Sequence, residues 1–496
     1  MMRILVILIC CAGLAGCGEY REYTPPSDPA GIAGEDFTSK DADRYKATDP
    51  VKQWWTRFND PVLSTLIEDG ITYNLDVQIA LARVLESRAV ASASELDRFP
   101  TVEAFFDYRR RQLTEEGTTL PSADRRFNSY DAGFDLSWEI DIFGRVANRI
   151  ERDQALTGAR LSDLRGVYVA VTSEIARAYI DLRGAQMRLD IARRNAGNQR
   201  KTYDLTRTLL NGGSATSLDV ARARTQLKLT QATIPPLEAA EKAAIYRLGV
   251  LTGKVPKTLE TLLSDQQPLP NLPESIGVGS PEDLLRRRPD IKAAERRLAA
   301  SVSQYNIAVA DLFPDVNILG VINFGSTSLS DFGQGSAVEY SVGPTLRWAA
   351  FDLGTVRARI NQEDAASFRV LKEYELTVLQ ALEEVHNALT AFGTEDRRLR
   401  DLREAAASSA EAARIARRRF EAGLDNFIDV LDAERTLLEA QDARAVSTIE
   451  TARNLIDIYR ALGGGWQMIT QAPDGQGGWK GLKLSPVRDT KNGIDE

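Results

Sequence analysis

The sequence has very little cysteine and histidine. Its three cysteines all lie within the first 17 residues, and its one histidine is His386. Loss of an N-terminal signal would leave Cys17 as the only cysteine, so neither a disulfide within the mature chain nor a cysteine-based metal cluster is expected. His386 lies beside an apolar heptad position, where a packed or surface histidine is commoner than a catalytic one, and no nucleophile elbow or phosphate loop occurs. The sequence therefore predicts no enzyme, no catalytic residue, no metal site and no cofactor other than a covalent lipid on Cys17.

The chain also lacks a long apolar segment and an excess of positive charge. No run of about 18 or more apolar residues follows the N-terminal segment, so no membrane-spanning helix is predicted. A net charge of −8 leaves nothing that could neutralise a run of phosphates, which argues against nucleic acid as a partner. With 43% hydrophobic and 27% charged residues, the chain has the composition of a folded protein.

The N-terminus has the layout of a secretory signal. A positively charged residue precedes an apolar run over residues 4–12, and small residues follow. The stretch LAGC, which ends at Cys17, resembles the bacterial lipobox, whose cysteine is acylated and becomes the mature N-terminus. The sequence therefore predicts a signal peptide over residues 1–16 and a lipid on Cys17, with an ordinary signal and an incidental cysteine as the alternative. Gly18 favours the outer membrane, and the polar residues after it predict a lipid-anchored tether over residues 17–59.

One short passage occurs twice in the chain. Residues 133–150 read GFDLSWEIDIFGRVANRI and residues 343–360 read GPTLRWAAFDLGTVRARI, with seven identical positions that are all 210 residues apart. Further matches lie upstream at an offset of 214 and downstream at 210. The chain is therefore predicted to be a tandem duplication of a unit of about 200 residues, far longer than a solenoid repeat. The two repeats are placed at residues 60–272 and 273–465, followed by a polar C-terminal tail over residues 466–496.

Each half predicts one very long helix. Apolar residues recur every seven positions over about fifty residues in each half. Because no proline interrupts either segment, each is predicted to be a single helix about 100 Å long that packs in a coiled coil. The helices are placed at about residues 143–210 and 353–421, and shorter return helices are predicted after Gly213 and Gly423.

Alternating apolar and polar residues before each long helix predict β-strands. The strands are placed at about residues 101–112, 129–141, 315–326 and 337–350. Strands of about ten residues with aromatic ends are typical of transmembrane β-barrels, so Tyr130, Trp138, Tyr340 and Trp348 are predicted to form an aromatic girdle. Four strands cannot close a barrel, and open edges are forbidden in lipid, so several chains are predicted to pool their strands. Three copies would give twelve strands, which is wide enough to leave a water-filled lumen. Pro344 lies inside the fourth strand, and the sequence gives no reason for its missing amide donor.

Several motifs are spread over nearly the whole mature chain. They are Trp54-Trp55, Phe58-Asn59-Asp60-Pro61, the segment from Asn74 to Ala89, LLRRRPDI over residues 284–291, Ala294-Glu295, Phe313-Pro314 and Asp352-Leu353-Gly354. Together they resemble the outer-membrane factors of the TolC type, in the lipoprotein branch that serves tripartite RND-type drug-efflux systems. The resemblance implies a mainly α protein with a twelve-stranded transmembrane β-barrel, formed as a homotrimer in the outer membrane and continued by a twelve-helix periplasmic tunnel. It also implies a periplasmic adaptor (a membrane fusion protein) and an inner-membrane pump as partners, and an exit channel for small molecules such as drugs as the function.

The resemblance further implies a gate at the periplasmic tip. The family's tunnel closes near the turn into its last long helix, which here is GLDNFIDVLD over residues 423–432. By position, Ile428 resembles the family's apolar constriction residue and Asp432 its acidic ring residue, while Asp429 lies nearer the tip. A ring of carboxylates in a narrow passage would attract cations. For each aspartate the alternative is a first-turn residue that the helix dipole favours.

Two other functions stay open at this point. One is a channel of the same family for type I protein secretion, which nothing in the lumen pattern separates from drug efflux. The other is a lipid-anchored periplasmic adaptor or scaffold without a pore. Such an adaptor would need no lipid-facing strands, so the alternation over residues 130–140 argues against it.

Overall fold

The structure is a computed structural model that describes residues 20–26, 37, 44–48, 51–114, 126–273, 275–330, 334 and 338–467. The elements of the first half are β1 (Tyr45–Lys46), α1 (Pro61–Tyr73), α2 (Leu75–Leu96), β2 (Thr101–Gln112), β3 (Arg126–Glu139), α3 (Arg145–Asn211), α4 (Ser217–Ala232), α5 (Ile234–Leu251) and α6 (Glu260–Leu263). Those of the second half are β4 (Ile276–Gly277), α7 (Pro281–Arg287), α8 (Pro289–Ala310), β5 (Asp315–Ser326), β6 (Val338–Arg347), α9 (Leu353–Glu421) and α10 (Phe427–Ala461). The protein is thus mainly helical. In the part of the chain described, no helix is both long and apolar enough to span a bilayer.

The two halves repeat one order of elements. In each, a helix of 22 residues (α2 or α8) leads into two antiparallel strands and then into the long helix. The helices that follow the two long helices differ between the halves: α10 is one continuous helix, whereas in the first half two helices, α4 and α5, meet at Thr233. Pro235 stands in the first turn of α5, where a missing amide costs no helical hydrogen bond. The duplication therefore extends to the tertiary structure, apart from this break.

The long helices bury the predicted heptad series. α3 has 67 residues and α9 has 69, so each is about 100 Å long. The buried series members are Tyr168, Ile175, Leu182, Leu189 and Ala196 in α3, and Val378, Val385, Phe392, Leu399, Ala406 and Ala413 in α9. Towards the strands the helices pack side by side in the row α2–α3–α8–α9, so α2 and α9 each have one side without a helical neighbour. The predicted coiled-coil packing is confirmed over these stretches.

The four long strands form one antiparallel sheet in the order β2–β3–β5–β6. Its register brings apolar residues into rows, of which two are Val102–Leu136–Gly320–Val342 and Ala104–Phe134–Ile322–Tyr340. The next row, with Glu103, Asp135 and Ser341, lies on the opposite face because side chains alternate along a strand. The sheet therefore has one apolar face and one largely polar face, and β2 and β6 are its free edges.

Phe105 breaks the polar face because it covers a glycine. It pairs with Gly133 across β2 and β3. A Cβ at Gly133 would lie 2.9 Å from Phe105 Cζ, so the ring occupies the space that a side chain would fill. An aromatic ring over a strand glycine restores packing that the glycine lacks.

Pro344 removes no hydrogen bond from this sheet. The Ile140 amide donates to the Val316 carbonyl at 2.9 Å, so the main-chain groups of Val316 and of every second residue after it on β5 point to β3. Ile318 is one of these, and it is the partner of Pro344 on β6. The nitrogen of Pro344 therefore points away from β5, so its missing amide breaks no hydrogen bond between the strands of this sheet.

The described part of the predicted tether packs on the long helices. The Arg21 amide donates to Asn306 Oδ1 at 2.9 Å, and Asn306 Nδ2 returns a bond to the Arg21 carbonyl at 2.8 Å. Further along, the Tyr45 hydroxyl donates to the Leu389 carbonyl at 2.9 Å, and β1 pairs in parallel with β4. Residues 20–26 thus contact α8 near the sheet, and residues 44–48 contact α9 nearer the middle of the molecule.

Candidate functional site: the strand–helix junctions and the helical tips

Both junctions between sheet and long helix contain the same tryptophan contact. Trp138 Nε1 donates to the Arg98 carbonyl at 3.0 Å, and Trp348 Nε1 donates to the Leu312 carbonyl at 2.9 Å. The tryptophans are 210 residues apart and the acceptors 214, so the contact is duplicated along with the sequence. Each indole fixes the end of one strand against the link that precedes the neighbouring strand.

An ion pair is duplicated at the same level. Arg149 Nη1 lies 3.0 Å from Asp97 Oδ2, and Arg359 Nη1 lies 3.0 Å from Asp311 Oδ2. Each pair joins the start of a long helix to the end of the preceding helix. Because such exposed pairs contribute at most about 1 kcal/mol, their main effect is on orientation. The repeated passage in the sequence therefore encodes how a strand is turned into a helix.

The first junction corrects two predicted bounds. β3 ends at Glu139 and α3 begins at Arg145, whereas residues 141 and 143 were expected. The carboxylate of Asp141 accepts hydrogen bonds from the amides of Val146 and Ala147 at 3.0 and 2.8 Å, so it caps the helix instead of continuing the strand. The alternation of apolar and polar residues along β3 therefore stops before Asp141, whose carboxylate binds amides of the first turn of α3.

The second junction corrects the end of the fourth strand. β6 ends at Arg347 and not at residue 350, so Trp348 lies one position beyond it. The other predicted girdle residues, Tyr130, Trp138 and Tyr340, lie within β3 and β6 on the apolar face. Tyr130 packs against Tyr108 with the rings tilted and 5.1 Å between their centroids. The two tyrosines thus lie near the beginnings of β3 and β6 and the two tryptophans near their ends, and the girdle itself stays a prediction.

The two helical tips share one turn geometry. The Ser214 amide donates to the Leu209 carbonyl at 2.8 Å and the Leu424 amide to the Arg419 carbonyl at 2.9 Å, the six-to-one bond of a glycine-ended helix. Gly213 and Gly423 have φ of 78° and 73°. The predicted helix-ending glycines are therefore confirmed.

The tips differ in the role of their first-turn aspartate. At the first tip Asp219 forms a capping box with Thr216, and the hydrogen bonds from Thr216 hold the pKa of Asp219 below its ordinary value. Its counterpart Asp429 occupies the same third position of α10, where the N-cap residue Asn426 makes no side-chain bond. Asp429 is thus available for a role other than capping, although the helix dipole also favours it there.

The other two predicted gate residues lie on the exposed side of α10. Ile428 is 51% exposed, which is unusual for a large apolar side chain next to the buried Phe427 and Val430. Asp432 is exposed, and its carboxylate pairs with Arg435 at 2.7 Å. The sequence analysis missed this pair, although the spacing of three on one helix indicates it. Ile428 and Asp432 are one helical turn apart and therefore share a face.

A buried arginine in the RRRPD motif joins three helices. Arg288 donates to both carboxylate oxygens of Asp290 at 3.0 and 2.6 Å, to Glu384 at 2.7 Å and to the Ala461 carbonyl at 2.9 Å. It therefore connects the start of α8, the middle of α9 and the end of α10. The motif singled out from sequence thus has a structural role.

Several predicted features lie outside the described residues, among them the signal peptide, Cys17 and the tail after Gln467. The sequence analysis in turn missed the packing of residues 20–26 and 44–48 and a buried carboxylate, Glu434, in α10. Within the described ranges, no three His, Cys, Asp or Glu side chains are grouped so that they could hold a metal ion.

Comparisons with known proteins agree on one family. The family model described as outer membrane efflux protein matches residues 66–254 and 280–464. The chain is 29% identical to nodulation protein T of Rhizobium leguminosarum bv. trifolii, over 92% of this chain and 97% of the relative. It is 32% identical to the pyoverdine export outer membrane protein OpmQ of Pseudomonas putida, over 90% and 94%.

Solved structures with the same fold are outer-membrane channels. The chain superimposes on the outer-membrane channel OprN with a TM-score of 0.84 and 39% identity, over 91% of this chain and all of the other. It superimposes on the MtrE outer membrane channel of Neisseria gonorrhoeae with a TM-score of 0.77 and 25% identity, over 91% and 99%. The sheet and long helices described above are therefore the common framework of these proteins.

Proposed function

The chain belongs to the outer membrane efflux protein family, and on that premise we propose that it is the exit channel of a tripartite pump that exports small molecules. It is an outer-membrane protein that extends into the periplasm, as its relatives are. Three copies close a twelve-stranded barrel continuous with a tunnel of long helices. A periplasmic adaptor and an inner-membrane transporter deliver the substrate. The main support for a closed barrel is that the two free edges of the sheet, β2 and β6, are complementary to each other.

The two sheet edges are complementary. In an antiparallel sheet the main-chain groups of every second residue point to the same neighbouring strand. On β6 the residues that point away from β5, as Pro344 does, are Val338, Tyr340 and Val342. On β2 the residues that point away from β3 are Val102, Ala104 and Phe106. All six are on the apolar face. If β6 of one chain pairs with β2 of the next, residues of the apolar face lie opposite one another across the new strand pair. The apolar face then continues around the ring. The strands also stay antiparallel, because β2 and β6 run in opposite directions.

The helical row has matching free sides. The outward residues of α2 include the exposed Leu75, Ile79 and Val90, and those of α9 include the exposed Phe368, Leu376 and Leu379. Large apolar side chains on helices that lack a neighbour indicate a missing partner. Closing the sheet between copies brings α9 of one chain beside α2 of the next, which buries both sets.

Cysteine pairs across the proposed seam test the ring. Chains carrying Val342→Cys with Val102→Cys, Ala104→Cys or Phe106→Cys are oxidised in outer membranes. At least one of these pairs is expected to give covalent trimers on non-reducing gels, because directly opposed residues bring Cβ atoms within about 5.5 Å. A closed ring stops at three chains, whereas an open array gives a ladder of larger products.

The controls use the two faces of the sheet. Val342→Cys with Glu103→Cys places the thiols on opposite faces, so this pair is expected not to cross-link. The chain without new cysteines is also expected to stay monomeric on the gel, because an acylated Cys17 has no free thiol. Monomers for all three same-face pairs would contradict the ring, and a cross-link through Cys17 would contradict its acylation.

The start of the described chain supports an acyl anchor on Cys17. Tyr20 donates its hydroxyl proton to the Phe143 carbonyl at 2.6 Å and stacks on Phe313 at 6.5 Å between centroids. It therefore lies at the strand–helix junction, at the end of the sheet that faces the periplasm. Three residues span at most about 10 Å, so Cys17 stays near the periplasmic side of the proposed barrel.

The gate is placed at the second helical tip, with Ile428 and Asp432 facing the lumen and Asp429 beside them. Ile428→Ala and Asp432→Ala are each expected to raise the single-channel conductance of the purified trimer in planar bilayers several-fold. Ile428→Ala removes the apolar side chain that narrows the passage, and Asp432→Ala removes a carboxylate that holds cations in the passage.

The repeat supplies the control for the gate. The equivalent positions of the first tip are Leu218 and Arg222, and Leu218 is 55% exposed, much like Ile428. Leu218→Ala and Arg222→Ala are expected to leave conductance unchanged. Equal effects at both tips, or none at either, would remove the gate from α10.

A further inference from the structure

The contact between α3 and α10 changes character towards the tip. In the middle of the molecule Ile449 of α10 fills the space over Gly184 of α3, and partly exposed ion pairs, Arg453–Asp181 and Arg188–Asp442, also join the two helices. Nearer the tip, buried polar residues replace the apolar ones: Asn195 Nδ2 donates to Gln441 Oε1 at 2.9 Å, and Thr202 Oγ1 donates to Glu434 Oε1 at 2.8 Å. A polar core weakens a coiled coil but fixes its register.

Glu434 is a charged residue buried in this seam. It is 5% exposed, and its Oε1 also accepts a bond from Arg417 Nη2 of α9 at 2.6 Å. Its other carboxylate oxygen, Oε2, is buried, and so are Gln199 Oε1 and Thr230 Oγ1; among the described residues none of these three atoms has a hydrogen-bond partner. Buried polar atoms without partners cost stability, and well-packed apolar residues in place of a buried ion pair are often more stable. A contribution to the stability of the fold therefore does not explain why a carboxylate is buried at position 434.

The repeat points in the same direction. The residue 210 positions before Glu434 is Arg224 of α4, which is exposed. The buried carboxylate is thus confined to the hairpin that carries Ile428 and Asp432. A feature required for folding of the hairpin would be expected in both copies.

The geometry of α10 connects Glu434 with the proposed gate. Phe427, Val430 and Glu434 lie on one buried face, and Ile428 and Asp432 lie on the opposite, exposed face. Rotation of α10 by one residue, about 100°, would carry Ile428 and Asp432 away from their present direction. The buried carboxylate of Glu434 opposes such a rotation, because the rotation would break its hydrogen bonds to Thr202 and Arg417.

We propose that Glu434 is a positioning residue, which fixes the rotation of α10 by joining Thr202 of α3 and Arg417 of α9 and so keeps Ile428 and Asp432 facing the lumen. The inference rests on the gate placed at the second tip. It assigns Glu434 no contact with the exported molecule. The closed state then depends in part on this three-helix contact near the tip, beside the partly exposed ion pairs that join α3 to α10 further from it, and the loss of the contact leaves the fold intact.

Glu434→Leu separates positioning from stability. The trimer is expected to unfold at a temperature no lower than wild type, because the Thr202 hydroxyl keeps its bond to the Asn198 carbonyl and the Arg417 side chain, 35% exposed, turns to water. Its single-channel conductance is nevertheless expected to rise several-fold. Glu434→Gln, which keeps an acceptor for Thr202 and Arg417, is expected to stay close to wild type, and Arg224→Leu is the matched control without effect.

Thr202→Val decides the outcome if Glu434→Leu does not assemble. It removes one bond at nearly constant volume and is expected to raise conductance less than Glu434→Leu. Wild-type conductance in the assembled variants, while Ile428→Ala still raises it, would overturn the positioning role and leave the gate standing. If Ile428→Ala and Asp432→Ala are also without effect, the gate assignment itself fails and the positioning role fails with it.

Discussion

Replacing Gly133 with alanine is expected to prevent formation of the four-stranded sheet. A Cβ at this position would overlap the backbone oxygen of Ile322 on β5 and would lie 2.9 Å from Phe105 Cζ on β2. The ring of Phe105 can turn aside, but the Ile322 oxygen moves only if β3 and β5 separate in the centre of the sheet. We expect a cost of at least about 3 kcal/mol, the upper range for overpacking. The measurement is the amount of folded trimer in outer membranes, read from urea-resistant assembly.

Gly343→Ala is the control that the duplication provides. Gly343 lies 210 residues after Gly133, in the edge strand β6, and a Cβ there would meet no atom within 4 Å. This variant is expected to assemble like wild type. Equal tolerance of both substitutions would mean that β3 and β5 are further apart than described. Equal loss would mean that a neighbouring chain crowds Gly343 from the proposed seam.

The sequence predicted the elements well because their signals are local. Alternation marked the strands, and a period of seven without proline marked the long helices. Both signals depend on residues that are neighbours in the chain. The strand ends were less accurate, since Asp141 was counted as strand by its polarity but serves as a helix cap. Trp138 and Trp348 were expected to face lipid, and their hydrogen bonds to Arg98 and Leu312 could not be inferred from periodicity.

Features that rest on contacts distant in sequence could not be predicted. The segment around Arg21 and Tyr45 is polar and reads as a tether, but it packs on helices more than 280 residues away. Glu434 looks like one of many charged residues on a helical surface, and only the fold shows that Thr202 and Arg417 enclose it. Pro344 became explicable once the register showed which way its nitrogen points.

Arg288→Met is expected to lower the free energy of unfolding by about 3 kcal/mol, the lower end of the range for breaking a buried ion pair. Burial alone would lower the pKa of Arg288, but the hydrogen bonds and charges of Asp290 and Glu384 outweigh it, and the pKa is raised. Both carboxylates are about half exposed and can turn to water when the arginine is lost. The Ala461 carbonyl is buried with Arg288 and would lose its side-chain donor. The measurement is the denaturation midpoint of the trimer, followed by circular dichroism.

Arg286→Met serves as the control, because Arg286 belongs to the same motif but is exposed. Its effect is expected to stay within about 0.5 kcal/mol, as for other surface substitutions. Similar stability of the two variants would contradict the joining role of Arg288. The comparison with Glu434→Leu is informative, since Arg288 and Glu434 are both buried charges that join α10 to α9. For Arg288→Met we expect the stability to fall and the conductance to stay at the wild-type value. For Glu434→Leu we expect the stability to be kept and the conductance to rise. Opposite outcomes would mean that the end of α10, and not its start, sets the rotation of the gate.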